Sequence, residues 1–194
     1  YVMPRQSYHM YSVPVASQWL DYFEDQCVFV KNLPDEISQS LTVRLFRYDY
    51  GWDQRERWHS RFPSLCLDDG WGSMLDQLRK CRLYISSYND TTFLESFSLN
   101  VPTVMYWNSN HWELRDLAIP YFEELKRVGI FHETPESAAQ HVASVWSDVD
   151  AWWSSEEVMI VLAGFKKQYC DTSGSLLEKI EMVMRDVIEE SKAF

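Results

Sequence analysis

Short apolar runs alternate with segments of helical periodicity along most of this chain. The apolar runs are of strand length and contain several β-branched or aromatic residues. The segments between them repeat apolar side chains every three or four residues, which is typical of amphipathic helices. The pattern predicts strands at 41–46, 64–67, 82–86, 102–107 and 130–132, and helices at 17–33, 53–61, 73–80, 91–99, 113–128 and from 135 to 194 with a break at 171–174.

This alternation predicts βαβ units and therefore a parallel sheet, because parallel neighbours need a crossover connection. We expect an α/β fold with a three-layer Rossmann-like arrangement, a mainly parallel sheet and helices on both faces. Residues 1–194 are predicted to form a single domain, with 135–194 as a long helical tail packing on it. Tyr1 to Met3 resemble the end of a strand stopped by Pro4, and Ser17 is available to cap the first helix.

Composition supports a folded chain and limits its partners. Hydrophobic residues make up 46% of the 194 residues and aromatic residues 15%, enough for one sizeable core. The formal net charge of −11 disfavours nucleic acid and anionic membranes as partners. A phosphorylated ligand must therefore be held by a local device, such as a helix N-terminus or a few arginines.

The cysteines and the apolar runs indicate a cytoplasmic protein without a membrane span. The four cysteines (Cys27, Cys66, Cys81, Cys170) are widely spaced with no CxxC pair, so we expect buried thiols and neither a zinc site nor a disulfide framework. No run approaches the roughly 18 apolar residues of a transmembrane helix. Because the chain opens on Tyr1 without an initiator methionine, we expect a segment of a longer protein.

Several common chemistries lack their motifs here. Neither GxGxxG nor GxxxxGK[ST] occurs, which disfavours a nicotinamide dehydrogenase and a P-loop NTPase. A GxSxG elbow is also absent, which disfavours an α/β-hydrolase. No cluster of histidine, cysteine and carboxylate has metal-ligand spacing, so neither a metal nor another cofactor is expected.

Ligands of open parallel sheets bind outside the carboxyl ends of the strands, and the first candidate loop follows strand 82–86. Its small hydroxyl residues leave backbone N–H groups able to face an anion at the start of the next helix. Alternatively, Asp90 or Thr91 caps the helix and Glu95 completes a capping box. The candidate phosphate- or donor-binding residues of this loop are Ser86, Ser87, Tyr88, Asn89, Thr91, Thr92 and Glu95.

Two further loops follow strands 41–46 and 102–107. In the first, Arg44 and Arg47 are candidate phosphate ligands, with Tyr50 and Trp52 as possible stacking partners; alternatively, the arginines pair with nearby acids. In the second, Asn108 and His111 are possible further contacts, although such a histidine also serves to cap or pack a loop. Catalytic residues are not assigned.

The sequence resembles a family of bacterial surface-carbohydrate transferases over most of its length. The resemblance is carried by YISSYNDTTFLE at 84–95, NVPT at 100–103, YWN at 106–108, HWELR at 111–115, GIFH at 129–132 and TPESAA at 134–139. More distantly, the arrangement is similar to the second domain of GT-B glycosyltransferases, including those that transfer Kdo or sialic acid. Ser86, Ser87, Thr91, Thr92 and Glu95 match the donor-site pattern of that domain. Arg44 and Arg47 lie where many such enzymes carry a His-Pro or basic motif, and the His-Pro is absent here.

This resemblance implies the carboxy-terminal donor-binding domain of a glycosyltransferase that acts in surface polysaccharide or glycoconjugate synthesis. Its partners would be a nucleotide-sugar donor and an amino-terminal domain of the same enzyme, and the domain alone would turn over little. A non-catalytic nucleotide- or phosphate-binding module of the same fold is the main alternative. A GT-B-type epimerase that acts on a nucleotide sugar also shares the donor site.

Overall fold

The described part of the chain contains five short strands, ten α-helices and a 3-10 helix at Trp146–Asp148. The computed structural model describes residues 18–49, 51–170 and 174–192, with the backbone alone at 176 and 190–192. The strands are β1 (Thr42–Arg44), β2 (Cys66–Asp68), β3 (Tyr84–Ser86), β4 (Thr103–Tyr106) and β5 (Phe131–His132). The helices are α1 (Trp19–Asn32), α2 (Asp35–Ser38), α3 (Gln54–Arg61), α4 (Met74–Leu78), α5 (Thr92–Ser98), α6 (Ile119–Arg127), α7 (Pro135–Val145), α8 (Val149–Trp153), α9 (Glu156–Tyr169) and α10 (Leu176–Lys192).

All strand pairings in the described part are parallel, as the alternation of strands and helices predicts. Among the described residues, these strands form two sheets: β1 pairs with β2, and β3–β4–β5 form the second sheet in that order. Every residue of β4 is buried, as expected for a central strand covered on both faces. The fold is therefore a mixed α/β fold with small parallel sheets.

Helices cover the larger sheet through two groups of contacts. α7 packs on β4 and β5 and also against α1, so the first helix and the start of the tail lie together. α5 contacts β3 and β4, and α9 packs on both α5 and α6. The apolar side chains that recur at helical spacing in this part of the sequence predict a packing surface, and on α9 they are buried: Val158, Val161, Leu162 and Phe165.

A cluster of aromatic rings joins the second group of helices to the sheet. The Phe122 ring meets the Phe165 ring edge-on at 5.4 Å between centroids, and Trp107 lies 4.7 Å from Phe131. Phe93 contacts both Phe122 and Phe165. Such pairs each add roughly 0.5–1.5 kcal/mol beyond the burial of their area, so this cluster fixes how α5, α6 and α9 sit on the sheet.

Three details differ from the sequence-based expectations. α6 begins at Ile119 instead of residue 113, because Pro120 is tolerated only in the first turn of a helix. The periodicity of the predicted helix 73–80 places Met74, Leu75 and Leu78 inward, but Leu75 is 41% exposed, whereas Leu78 is buried. Of the four cysteines, only Cys27 is buried, while Cys66 and Cys81 are exposed and Cys170 is intermediate; all four are free thiols.

Ser17, Tyr50 and the strand end predicted at Tyr1 to Met3 lie outside the described residues.

Gly70 and Gly51 provide a matched pair for testing one tight turn after β2. Both have positive φ, at +80° and +82°, so alanine strains the backbone by about 1–2 kcal/mol at either position. Only at Gly70 would a Cβ collide with backbone, the carbonyl oxygen of Leu45, whereas Gly51 has open space. We expect Gly70→Ala to lower the free energy of unfolding in urea by at least ~2 kcal/mol more than Gly51→Ala. Equal losses in the two variants would contradict this packing.

Two neighbouring histidines, His132 in β5 and His141 in α7, should make the stability of the fold sensitive to acid. The rings of His132 and His141 lie 5.3 Å apart, and burial, followed by the charge of His132, lowers the pKa of His141 to about 4. Burial also lowers the pKa of His132. Because the unfolded chain then binds a proton more readily, stability present above pH ~6.5 is lost as the pH falls toward 4. Urea unfolding of His141→Gln should show a smaller loss between pH 7 and 5 than the unmodified chain; parallel pH profiles would contradict it.

Candidate functional site

The first half of α1 contacts all three of the loops that the sequence singled out. The Trp19 ring stacks on Trp52, in the loop after β1, with centroids 4.5 Å apart. The Tyr22 hydroxyl lies 3.0 Å from the Ser87 Oγ, directly after β3, and the Tyr22 ring meets Trp112, after β4, at 5.5 Å. Because each loop follows the carboxyl end of a parallel strand, the three loops meet at one end of the domain.

Ser86, Ser87 and Tyr88 form the buried base of the first loop. The Ser86 hydroxyl donates to the carbonyl oxygen of Tyr88 at 3.1 Å, and Ser87 Oγ accepts from Gln26 Nε2 at 3.1 Å. All three residues are less than 5% exposed. Their hydroxyls are therefore engaged within the protein and hold the loop in place.

The residues at the start of α5 lie nearer the surface. Thr91 and Glu95 are exposed, and Asn89 and Thr92 are half-buried. The capping box considered as an alternative does not form at Thr91, whose side chain makes no capping hydrogen bond. Asp90 Oδ1 instead accepts from the Thr91 N–H at 2.7 Å. The Thr92 side chain bonds to Tyr88, whose pKa is raised by burial.

Arg44 is committed to the protein's own structure. Its guanidinium donates to Asp68 Oδ2 at 2.5 Å, to the Gly70 carbonyl at 2.9 Å and to the Gly72 carbonyl. The Arg44 side chain is 11% exposed and that of Asp68 19%. Arg44 therefore pairs with a nearby acid, which was the alternative to phosphate binding for this arginine. Its hydrogen bonds connect β1 to the turn after β2.

Arg47 has a different environment at the surface. Its guanidinium carbon lies 4.9 Å from the centroid of the Tyr48 ring and 5.8 Å from that of Trp71. Arg47 forms no ion pair with any residue in the described part of the chain. Trp71, which is 63% exposed, was not predicted; its signal is a tryptophan between Gly70 and Gly72 in a loop after a strand. Arg47 is therefore the arginine of this pair that is accessible to an anionic ligand.

The loop after β4 places a histidine near a half-buried carboxyl group on α1. Asn108 Oδ1 accepts from the Asn110 N–H at 3.0 Å, and its carbonyl oxygen accepts from the His111 N–H at 2.9 Å. His111 Nδ1 is buried and has no hydrogen-bond partner within the described residues. Burial raises the pKa of Asp25 on α1, and the nearby His111 opposes this shift. Asp25 was not predicted, because no local motif marks a carboxylate that only folding brings to this loop.

The described residues give no evidence of a metal centre or a membrane span. Nowhere in residues 18–49, 51–170 and 174–192 do three or more His, Cys, Asp or Glu side chains lie where they could hold a metal ion. Within the same ranges, no helix has the length and apolar character needed to cross a bilayer.

The fold and the loop cluster together define an α/β protein with a candidate ligand site at the carboxyl ends of its parallel strands. A family model described as LIC12162 family transferase matches residues 1–182. The chain therefore belongs to this family of transferases. Comparison with curated proteins and with solved structures gave no match.

Replacing Arg44 should lower the free energy of unfolding much more than replacing Arg47. Arg44→Ala removes three donated hydrogen bonds and leaves the mostly buried Asp68 carboxylate unpaired, so we expect a loss of about 2–3 kcal/mol in unfolding free energy. Arg47→Ala at the exposed position should change it by less than about 0.5 kcal/mol. Chemical denaturation of both variants provides the measurement, and a stable Arg44→Ala protein would show that the Arg44–Asp68 contact contributes little.

Proposed function

We propose that this chain is the donor-binding domain of a GT-B-type glycosyltransferase that uses a nucleotide-activated sugar in surface polysaccharide or glycoconjugate synthesis. We further propose that the chain adopts a three-layer Rossmann-like fold and forms the carboxy-terminal half of the enzyme. Membership of a transferase family supports the general class of reaction. The resemblance of residues 84–95 to the donor-site pattern supports the choice of a sugar nucleotide.

One structural observation carries the proposal: the first half of α1 gathers the loops after β1, β3 and β4. Loops that meet at the carboxyl ends of parallel strands are where open α/β sheets bind nucleotides. A ligand with a base, a sugar and phosphates is long enough to contact more than one of these loops. The loop cluster therefore suits a nucleotide better than a small inorganic ion.

The charge distribution indicates which side chains would hold such a ligand. In a chain with a net charge of −11, a phosphate needs a local cation, and Arg47 is accessible while Arg44 is neutralised by Asp68. The neighbouring Tyr48 and Trp71 rings offer surfaces for a base or a sugar ring. Thr91, Asn89 and Glu95 would contact hydroxyl or phosphate oxygens at the start of α5.

In this proposal, Arg47 stabilises the negative charge that develops on the departing nucleotide, because electrostatic stabilisation is the usual aid to phosphate departure. The acceptor site and the catalytic base come largely from an amino-terminal domain of the same enzyme. The isolated chain should accordingly bind nucleotide weakly and turn over little or no donor.

Isothermal titration with CMP, UDP, GDP and their sugar conjugates tests the proposal. We expect saturable binding of one nucleotide class, weakened at least about tenfold in Arg47→Ala, since loss of one charge-assisted contact is worth roughly 1.5–3 kcal/mol. Thr92→Val, which removes a hydroxyl at the start of α5, should weaken binding less because that hydroxyl also bonds to Tyr88.

Arg79→Ala serves as the matched control. Arg79 is an exposed arginine at the end of α4, ahead of the amino end of β3, so its removal changes the net charge equally but at the other end of the strand. The Arg79→Ala variant should bind the nucleotide with the same affinity as the unmodified chain. A folded chain that binds none of these nucleotides would contradict the donor-binding proposal, and equal losses in Arg47→Ala and Arg79→Ala would contradict the role of Arg47.

A further inference from the structure

The helix α10 exposes apolar side chains of the kind that the other helices bury. Each of the nine other α-helices in the described part of the chain buries at least one side chain. In α10 every described side chain is exposed except that of Lys179, which is half-buried. The exposed apolar residues of α10 are Leu177, Ile180, Met182, Val183, Met184, Val187 and Ile188. Apolar exposure on this scale marks a surface that a partner covers.

All of these residues except Met182 lie on one face of α10. Successive residues of an α-helix are rotated by about 100°, so this apolar face spans about 140° of the helix circumference. We call it the α10 face; it consists of Leu177, Ile180, Val183, Met184, Val187 and Ile188. A helix of 17 residues is marginally stable by itself in water and gains most of its stability by packing such a face. The α10 face therefore requires a partner.

The α10 face contains a seam of the kind that joins two helices. Ile180, Val183 and Val187 follow one another at intervals of three and four residues, which is the spacing of the contact positions in a coiled coil. Leu177 and Met184 extend the apolar surface on one side of this seam. A second copy of α10 has the same seam, so two such faces can cover each other. A pair of helices about 25 Å long gives an interface at the low end of the size range for specific complexes.

The charges beside the seam are complementary to those of a second copy. Lys179 and Asp186 lie on the other side of the seam, one heptad apart. In an antiparallel pair this side of one helix faces the same side of the other in reverse order, so Lys179 of each copy lies opposite Asp186 of the other. In a parallel pair Lys179 would face Met184 of the second copy, and neither charge would meet an opposite one. The charge pattern therefore favours the antiparallel pair.

We propose that α10 joins two copies of this chain as an antiparallel helix pair. Ile180, Val183 and Val187 of both copies form its apolar seam, and two symmetry-related contacts between Lys179 and Asp186 set its direction. The same surface is used on both copies, as in other two-fold symmetric dimers. This inference rests on α10 and is independent of the nucleotide site proposed above.

Sedimentation equilibrium of the 194-residue chain tests the pairing. We expect a monomer–dimer equilibrium with a Kd in the micromolar range, as for other small interfaces. Val183→Glu places an unpaired carboxylate in the seam and should weaken the dimer at least about tenfold. Met182→Glu is the matched control, because Met182 is 58% exposed and Val183 56%, and Met182 lies on the opposite side of the helix. It should change the Kd by less than about twofold.

An exchange of charges tests the direction of the helices. Lys179→Glu places like charges opposite each other at both symmetry-related contacts and should weaken the dimer about three- to tenfold. Combining Lys179→Glu with Asp186→Lys restores opposite charges at the original net charge and should return the Kd to that of the unmodified chain.

Three results would each overturn the proposal. The first is a chain that stays monomeric up to millimolar concentration, which would leave the α10 face to a different partner. The second is a dimer that Val183→Glu and Met182→Glu weaken equally, because its interface would then not be the α10 face. The third is a dimer that the charge exchange does not restore, because its helices would then not be antiparallel.

Discussion

The buried hydrogen bonds that Tyr22 and Gln26 make with Ser87 are the contact on which the arrangement of this domain depends. A buried hydroxyl needs a partner, and here both partners come from one face of the first helix. The helix is thereby held across the carboxyl end of β3. From this position it also reaches the loops that follow β1 and β4, and it packs on α7 farther along.

This arrangement separates the polar residues of the loops into those that build the site and those that remain accessible to a ligand. Ser86, Ser87 and Arg44 are buried or paired, so their hydrogen bonds maintain the shape of the loops. Arg47 and Thr91 remain exposed. In a protein with so many carboxylates, an exposed guanidinium such as that of Arg47 has a strong influence on where an anion can bind.

The two sheets and the cleft between them bear on the class of protein as well as on its fold. A continuous parallel sheet has a point at which the strand order reverses, and ligands bind at the carboxyl end of that point. Ser87 follows β3, which is an edge strand of the larger sheet in the described part of the chain and lines the cleft together with β1.

The sequence by itself determined the element types and the parallel pairing, because apolar periodicity reflects which faces are buried and helical crossovers require parallel neighbours. It also located the loops after β1, β3 and β4. Folding decided which residues of those loops face a ligand. Arg44 and Arg47 look equivalent in sequence, and only folding brings Asp68 of β2 to one and Trp71 of the following turn to the other. Likewise Asp25 approaches His111 only through the packing of α1, since contacts between residues distant in the chain leave no local pattern.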